Sequence, residues 1–224
     1  MKHIIISPSL MCADLLRLGD ERKALEKAGA DYHHIDVMDG EFVPNIQIGT
    51  ATVQAVRRVA GIPLDIHLMI KSPEDKLGYF GIAKGDAVSV HYESTRRPEE
   101  ALARIRKLGA SALLAVNPET PVSVCERFAG LLDGILIMTV HPGHAGQKLI
   151  PETLDKISEA KALLCRFGKP GGIVEVDGNV SYENAAIMKK EGANMLVCGS
   201  SSIFDGEYGY AEAIQILKGI KYEK

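Results

Sequence analysis

The chain has 224 residues, of which 46% are hydrophobic and 25% are charged, and its formal net charge is -3. This balance excludes a disordered or collagen-like chain and is typical of a soluble globular protein with one large domain or two small ones. The 26 basic residues do not exceed the 29 acidic ones. Without excess positive charge we expect no nucleic-acid partner and favour a small molecule.

The cysteines and the first residues bear on location. Cysteine occurs at four distant positions without a Cys-x-x-Cys pair, which argues against a disulfide framework or a thiolate zinc site: Cys12, Cys125, Cys165 and Cys198. The N-terminal residues lack the apolar core and cleavage site of a signal peptide, and no uncharged apolar stretch approaches about 18 residues. We therefore expect a cytoplasmic protein with no membrane partner.

Short runs rich in Ile, Val and Leu alternate with longer stretches of helical period. Eight runs are predicted strands: 4–7, 32–37, 64–70, 87–91, 112–117, 134–140, 173–177 and 195–199. The intervening segments that are predicted helices include 14–28, 50–59, 98–108, 151–167 and 182–191. Such alternation implies a parallel sheet with helical crossovers.

Eight strand–helix units in 224 residues approach the roughly 250-residue size of an eightfold barrel. We predict an α/β fold in which residues 1–224 form a single (β/α)8 TIM barrel domain with parallel strands. A doubly wound open sheet is the alternative, but its usual glycine-rich turn after the first strand is absent from Ser9-Leu10-Met11-Cys12. In a barrel, chemistry is expected at the C-terminal ends of the strands.

Metal-ligating residue types occur at three of those ends. His34 and Asp36 close the second predicted strand, His67 the third and Asp177 the seventh. A two-residue spacing places His34 and Asp36 on one face, so two imidazoles and two carboxylates converge if that face is the barrel interior. This donor set suits one divalent ion such as zinc, iron, cobalt or manganese.

Methionine and glycine mark the same strand ends. Met38, Met69 and Met138 are either core filler or a wall that excludes water from an electron-rich intermediate. Glycine-rich turns follow the last three predicted strands, and their amides are expected to bind phosphate beside a short helix that Ser200 to Ser202 could begin. The candidate residues of these turns are Gly143, His144, Ala145, Gly146, Gly178, Asn179, Gly199 and Ser200.

A metal site next to a phosphate site indicates a phosphorylated ketose as the substrate. A Lewis acid on the ketone and the neighbouring hydroxyl would acidify the carbon between them and hold an enediolate. Asp36 and Asp177 could then stand on opposite faces of that carbon, so that a proton leaves one face and returns on the other. The predicted product is the epimer.

Six motifs in the same order over nearly the full length resemble the ribulose-phosphate 3-epimerase family. They are Ser7-Pro8-Ser9-Leu10, the 34–40 segment with Phe42-Val43-Pro44-Asn45, the 64–69 segment, Pro142-Gly143 with Gly146-Gln147, Glu175-Val176-Asp177-Gly178 and Gly199-Ser200. The resemblance implies His34, Asp36, His67 and Asp177 as metal ligands, with Asp36 and Asp177 as acid and base. It also implies substrate contact by Ser9, methionines around the enediolate, phosphate binding at the glycine turns and a homo-oligomer.

Two departures from the family pattern fall beside the phosphate and sugar site. The usual Asn-Pro-Gly-Phe-Gly-Gly-Gln is replaced by a segment that runs from His141 to Gln147 with His144 and Ala145 inside it, and the usual Asp-Gly-Gly ends in Asn179. These changes put the detailed phosphate contacts in question. For the two histidines there are two interpretations: they are exposed loop residues, or one of them contacts the sugar phosphate and compensates for the changes at Ala145 and Asn179.

The substrate has a second interpretation. Segments 7–12, 117–122, 138–140 and 145–147 are similar to the allulose-6-phosphate 3-epimerase branch, which acts on a ketose one carbon longer. The primary prediction is therefore interconversion of D-ribulose 5-phosphate and D-xylulose 5-phosphate, with conversion of D-allulose 6-phosphate to D-fructose 6-phosphate as the alternative. A sugar-phosphate lyase on a related barrel would need an Asp-x-Lys pattern that these strand ends lack, and a non-catalytic sugar-phosphate binder is the remaining alternative.

Overall fold

The computed structural model describes residues 4–219. Nine strands form one sheet: Ile5–Pro8 (β1), His33–Asp39 (β2), Ile46–Gln47 (β3), Leu64–Met69 (β4), Ala87–His91 (β5), Ser111–Val116 (β6), Gly134–Met138 (β7), Ile173–Asp177 (β8) and Met195–Cys198 (β9). Residues 4–219 also contain six α-helices, of which the last follows β9: Leu18–Ala28 (α1), Thr50–Val59 (α2), Pro98–Lys107 (α3), Thr153–Arg166 (α4), Tyr182–Glu191 (α5) and Tyr210–Lys218 (α6).

Eight parallel strands close into a barrel. Neighbours follow the order β1, β9, β8, β7, β6, β5, β4 and β2. The two ends of this order meet at a parallel bridge between Ser9 and His34, and the Asp31 amide donates to the Ile6 carbonyl at 2.9 Å. The fold is the predicted (β/α)8 barrel, extended by the short strand β3, which pairs antiparallel with β2 and was not predicted.

The crossovers are less regular than the sequence pattern suggests. Helix α1 begins at Leu18 because Asp14 caps a preceding 3₁₀ turn by accepting the Leu16 amide at 3.0 Å. Short 3₁₀ segments replace α-helices after β4 and after β6, at Pro73–Asp75, Leu77–Tyr79 and Val122–Phe128. The last helix, α6, was not named among the predicted helices.

Side chains of the strands alternate between two different environments. Outward residues such as Ile35, Leu114 and Ile137 join one large apolar core with the helices. Inward residues of β2, β4 and β8 instead include polar side chains that are fully buried: His34, Asp65 and Glu175. The barrel interior thus holds charged groups that need partners, and these groups position the site.

Candidate active site

The four proposed metal ligands lie together inside the C-terminal end of the barrel. One nitrogen or oxygen of each side chain lies within 4.8 Å of the corresponding atoms of the other three: His34, Asp36, His67 and Asp177. Their separations include 3.2 Å from His34 Nε2 to Asp36 Oδ1 and 3.4 Å from His67 Nδ1 to Asp177 Oδ2. Two nitrogens and two carboxylates therefore face one point.

Strand register produces this convergence. Parallel pairing of β2 with β4 sets Asp36 beside His67, and the same register sets Met38 beside Met69. On the other side of the barrel, pairing of β7 with β8 sets Met138 beside Asp177. Since successive inward side chains rise toward the C-terminal edge, Asp36 and His67 each have a methionine at the next inward position of their own strand, and Asp177 has one beside it.

Two further buried acids, Asp65 and Glu175, lie on the Nδ1 side of the His34 ring, away from Asp36 and Asp177. His34 Nδ1 lies 2.6 Å from Asp65 Oδ2, which also accepts the Ser7 hydroxyl at 2.8 Å, and Glu175 Oε1 lies 3.6 Å away. A carboxylate on the outer nitrogen of a metal-binding histidine fixes the ring orientation and keeps the inner nitrogen pointed at the metal. Asp65 and Glu175 were not singled out from the sequence.

Electrostatics separate the two acids of this set. Burial raises the pKa of Asp65, but the adjacent His34 charge outweighs it, so the pKa of Asp65 is lowered. For Glu175, burial and the Asp65 charge act together and raise its pKa well above the ordinary value. Of the two acids, Glu175 is therefore the one that holds a proton more readily.

The pKa values of the candidate metal ligands are shifted by the same two effects, burial and neighbouring charges. Burial opposes the charged form of His34, yet the carboxylates of Asp65 and Asp36 raise its pKa well above the ordinary value. Burial likewise opposes ionisation of Asp36, but His34 and His67 outweigh it and hold its pKa far below the usual range. The Ser9 hydroxyl donates to Asp36 as well.

A buried nitrogen without a hydrogen-bond partner indicates that a metal ion fits between the four side chains. His67 Nδ1 is buried without a hydrogen-bond partner, although oxygens of Asp177 and Asp36 lie 3.4 and 3.5 Å away. A cation at the shared point would satisfy that nitrogen and both carboxylates, and this mixed donor set suits a divalent first-row metal. The cluster thus has the donor set to hold one divalent metal ion, whose element the geometry leaves open.

A pocket of about 550 Å³ opens above this cluster. Its wall contains the three predicted methionines together with Met11, Cys12, Val140 and Val197. Every substrate-binding residue proposed from the sequence also lines it: Ser9, Met38, Met69, Met138, Gly143, His144, Ala145, Gly146, Gly178, Asn179, Gly199 and Ser200. Apolar walls on a polar floor suit a small polar ligand that reacts away from bulk water.

The rim of the pocket consists of three glycine-containing turns. Gly143, Gly146 and Gly178 have positive φ, and a Cβ atom at Gly178 would come within 2.6 Å of the Val140 side chain. Gly178 therefore allows the backbone after β8 to approach the β7 loop closely. These turns line one edge of the pocket, where their main-chain amides could bind a phosphate.

Asn179 stands where the family pattern has glycine. Its φ of 48° lies in the left-handed region, which asparagine tolerates better than most residues. Its amide nitrogen donates to the Gln147 carbonyl at 2.8 Å, and its oxygen accepts from Asn184 at 2.8 Å. The side chain thus joins the loops after β7 and β8.

The two unusual histidines have different surroundings. His141 Nε2 lies 2.6 Å from Glu119 Oε1, and this contact lowers the pKa of Glu119. His144 is exposed on the pocket rim, and its imidazole has no side-chain partner among residues 4–219. Among those residues, neither Lys nor Arg lines the pocket.

Comparison with known proteins identifies the family of this chain. The model of the "Ribulose-phosphate 3 epimerase family" matches residues 5–204. The chain belongs to the ribulose-phosphate 3-epimerase family. A ribulose-phosphate 3-epimerase of Bacillus subtilis is 44% identical over 97% of this chain and 100% of its own length. The chloroplastic ribulose-5-phosphate-3-epimerase of Arabidopsis thaliana is 46% identical over 99% of this chain and 77% of its own.

Solved structures of other enzymes share only the fold with this epimerase-family chain. The tryptophan synthase α-subunit of Pyrococcus furiosus has a TM-score of 0.67 at 18% identity and covers 98% of this chain and 100% of its own. KGPDC from Streptococcus mutans has a TM-score of 0.67 at 10% identity, with 97% of both chains covered. At such identities the likeness confirms the barrel architecture alone.

Proposed function

We propose that this epimerase interconverts D-ribulose 5-phosphate and D-xylulose 5-phosphate, with Asp36 and Asp177 as the two proton-transferring groups. The observation that carries the proposal is the convergence of these carboxylates, from strands on different sides of the barrel, with His34 and His67 beneath one methionine-lined pocket. The relatives described above carry the ribulose phosphate in their names. We therefore assign the pentulose phosphate as substrate.

The residues divide the work as follows. His34, Asp36, His67 and Asp177 would hold the divalent metal, which supplies Lewis-acid stabilisation of negative charge on the substrate oxygens. Asp36 and Asp177 take and return the proton of carbon 3 on its two faces. Ser9 orients the Asp36 carboxylate through its hydroxyl. Met38, Met69 and Met138 exclude water from the planar enediolate, while the glycine turns bind the phosphate.

The test is exchange at carbon 3. Ribulose 5-phosphate is incubated with the enzyme in deuterated water, and both epimers are expected to gain deuterium at that carbon alone. Treatment with a chelator should stop exchange, and divalent zinc, iron, cobalt or manganese should restore it. Conversion without deuterium uptake would contradict the two-base mechanism. Allulose 6-phosphate in the same assay measures the preference between five- and six-carbon substrates.

Metal content tests the ligand assignment separately. His67 is fully buried at the convergence point, so His67→Ala removes one of four ligands and is expected to purify folded but without stoichiometric metal. The wild type should retain one divalent ion per chain. Elemental analysis and circular dichroism of both proteins make the comparison, and a full equivalent of metal in the variant would overturn the assignment.

We also propose a cytoplasmic enzyme that assembles into a homo-oligomer. The four cysteines are unpaired, which supports a reducing compartment. None of the helices within residues 4–219 has the length and apolar character that a membrane crossing requires. Exposed apolar side chains such as Leu16 and Ile46 support subunit contacts. Light scattering of the purified protein tests the assembly.

A further inference from the structure

The outer nitrogen of His67 faces another histidine. His67 Nε2 lies 2.8 Å from His91 Nε2, and the two rings are nearly parallel with centroids 5.0 Å apart. His91 closes β5 and is fully buried, with Phe42 packed against its ring at 4.8 Å. Its other nitrogen, Nδ1, lies 3.5 Å from Glu93 Oε2. His67, His91 and Glu93 therefore form a row of side chains that leads away from the other proposed metal ligands.

The distance between the two imidazole nitrogens requires one shared proton. If His91 donated it, His67 would carry its own proton on Nδ1 and could not bind a metal there, while the bare Nδ1 of His91 would face the Glu93 carboxylate. If His67 donates it, Nδ1 of His67 is free for the metal, and His91 carries its proton on Nδ1, the nitrogen that lies 3.5 Å from Glu93 Oε2. This second contact is longer than a hydrogen bond, and His91 Nδ1 has no hydrogen-bond partner among residues 4–219. The second arrangement still turns the protonated side of the His91 ring toward a carboxylate, which favours it over the first.

Glu93 is held as the acceptor at the end of this row. Its Oε1 accepts the Asn117 amide at 2.9 Å and the Thr120 hydroxyl. Burial raises the pKa of Glu93, but the contacts with His91, Thr120 and Asn117 outweigh it and lower the pKa. The Glu93 carboxylate is therefore held by its own partners on the Nδ1 side of the His91 ring.

We propose that His91 and Glu93 are positioning residues that hold His67 in the tautomer whose Nδ1 faces the metal, and that they set the metal affinity of the site. This proposal rests on the metal site of the proposed function. It parallels the arrangement at His34, where Asp65 contacts the outer nitrogen directly at 2.6 Å. At His67 the carboxylate acts through an intervening imidazole.

Metal affinity of the purified protein tests this role. The apoprotein competes with a chromophoric chelator for zinc, and dissociation constants are compared among variants. His91→Leu removes the acceptor and is expected to weaken zinc binding by about 10- to 100-fold, the usual cost of losing such an outer contact. His91→Gln can accept from His67 and donate to Glu93 through its amide, so it should recover most of the affinity.

Two further variants separate positioning from packing. Glu93→Gln keeps the size of the side chain but loses its charge, and we expect a smaller loss of zinc affinity than in His91→Leu. Ser89→Ala is the matched control on the same strand, because the Ser89 hydroxyl is buried without a partner. Its affinity should equal that of the wild type.

Thermal unfolding in chelator supplies a readout that does not depend on catalysis. A positioning role predicts that Glu93→Gln unfolds near the wild-type temperature without metal but gains less stability from zinc. Wild-type zinc affinity in both His91→Leu and Glu93→Gln would overturn the proposal, and Glu93→Gln alone decides if His91→Leu does not fold. Failure of the wild type to bind zinc would instead count against the proposed metal site.

Discussion

Asp36 and Asp177 have the same chemistry in different surroundings. Asp36 is 3% exposed and receives contacts from Ser9, His34 and His67. The Asp177 side chain is 18% exposed and lies at the end of β8, on the floor of the pocket. Asp36 is thus held in one orientation, whereas Asp177 is the more accessible of the two carboxylates.

Asp177→Asn isolates the second proton-transfer group. The amide keeps the shape of the side chain but cannot accept a proton, so we expect kcat to fall by about 10²- to 10⁴-fold. Exchange of the carbon 3 hydrogen of one epimer with solvent should persist through Asp36. Turnover and deuterium exchange are measured on metal-loaded enzyme of verified metal content, and normal turnover would rule out the two-base scheme.

His144 places on the pocket rim an imidazole that can donate a hydrogen bond to the substrate phosphate. A hydrogen bond on an exposed rim strengthens phosphate binding modestly. We expect His144→Phe to raise KM by about two- to fivefold. His141→Asn should leave KM unchanged, since His141 is directed at Glu119.

The ratio of variant to wild-type KM is the quantity to measure. A ratio of one for His144→Phe would show that His144 makes no favourable contact with the substrate.

Part of the site can be predicted from spacing alone, because a two-residue period identifies side chains on one strand face. That rule predicts that His34 and Asp36 share a face, and the structure brings them together with His67 and Asp177. The same rule, applied two positions before His67 and two positions before Asp177, predicts that Asp65 and Glu175 also face the barrel interior. His91 and Glu93 are harder to predict from the sequence, because only the three-dimensional structure shows that the end of β5 lies next to the four proposed metal ligands.

At the scale of elements, β7 and β8 approach each other closely at Gly134. A Cβ atom there would lie 2.6 Å from both the Cβ and the carbonyl oxygen of Ile173. Gly134→Ala is therefore expected to push the strands apart and to lower the free energy of unfolding by about 1–3 kcal/mol. Urea unfolding of the apoprotein measures this.

Gly171→Ala is the matched control for that substitution. Gly171 lies in the loop before β8, and a Cβ atom at that position meets no atom within 4 Å. Its φ lies outside the positive range, so alanine should leave stability unchanged or raise it slightly. A loss of equal size in both variants would show that the close strand contact is not the cause.

Glu26 links helix α1 to the strand after it. Its carboxylate contacts His33 Nε2 at 3.0 Å and accepts the Gly61 amide at 2.9 Å, with Arg22 at 2.8 Å. Burial raises its pKa, but the contacts with His33, Gly61 and Arg22 outweigh it and lower the pKa to about 2. A group whose pKa is lowered on folding stabilises the protein above its unfolded pKa of about 4.5.

Glu26→Gln should therefore be less stable than the wild type near pH 7. The difference is expected to shrink as the pH falls from about 4.5 toward about 2, where the wild-type carboxylate also becomes neutral. Urea midpoints of both proteins across this range give the difference directly. A difference that did not change with pH would indicate that the hydrogen-bond geometry matters rather than the charge.

The helices show where sequence periodicity is insufficient. The helical pattern from residue 14 includes Asp14, but this aspartate folds back on the Leu16 amide and forms a turn before α1 begins. After β4, Pro73 begins a 3₁₀ turn and another 3₁₀ turn contains Gly78, which disfavours a continuous α-helix. Periodicity reports which face is apolar, whereas local hydrogen bonds decide the type of turn.

For the whole molecule, the count and direction of the parallel strands could be predicted, because each strand–helix unit buries its own apolar face against the next. Closure of the barrel could not be derived from any single unit. It depends on β1 pairing with β9 and meeting β2 at the Ser9–His34 bridge. These contacts join distant parts of the chain, so they become visible only in three dimensions.

The pairing of β1 with β9 also affects folding during synthesis on the ribosome. The strand that is synthesised first pairs with the strand that is synthesised last, and at about 5–20 residues per second the delay between them is on the order of ten seconds or more. Until then the apolar edges of β1 and β8 lack the neighbour that covers them, which is the situation that favours aggregation of a nascent chain. Expression at lower temperature or with additional chaperones should therefore raise the yield of folded enzyme.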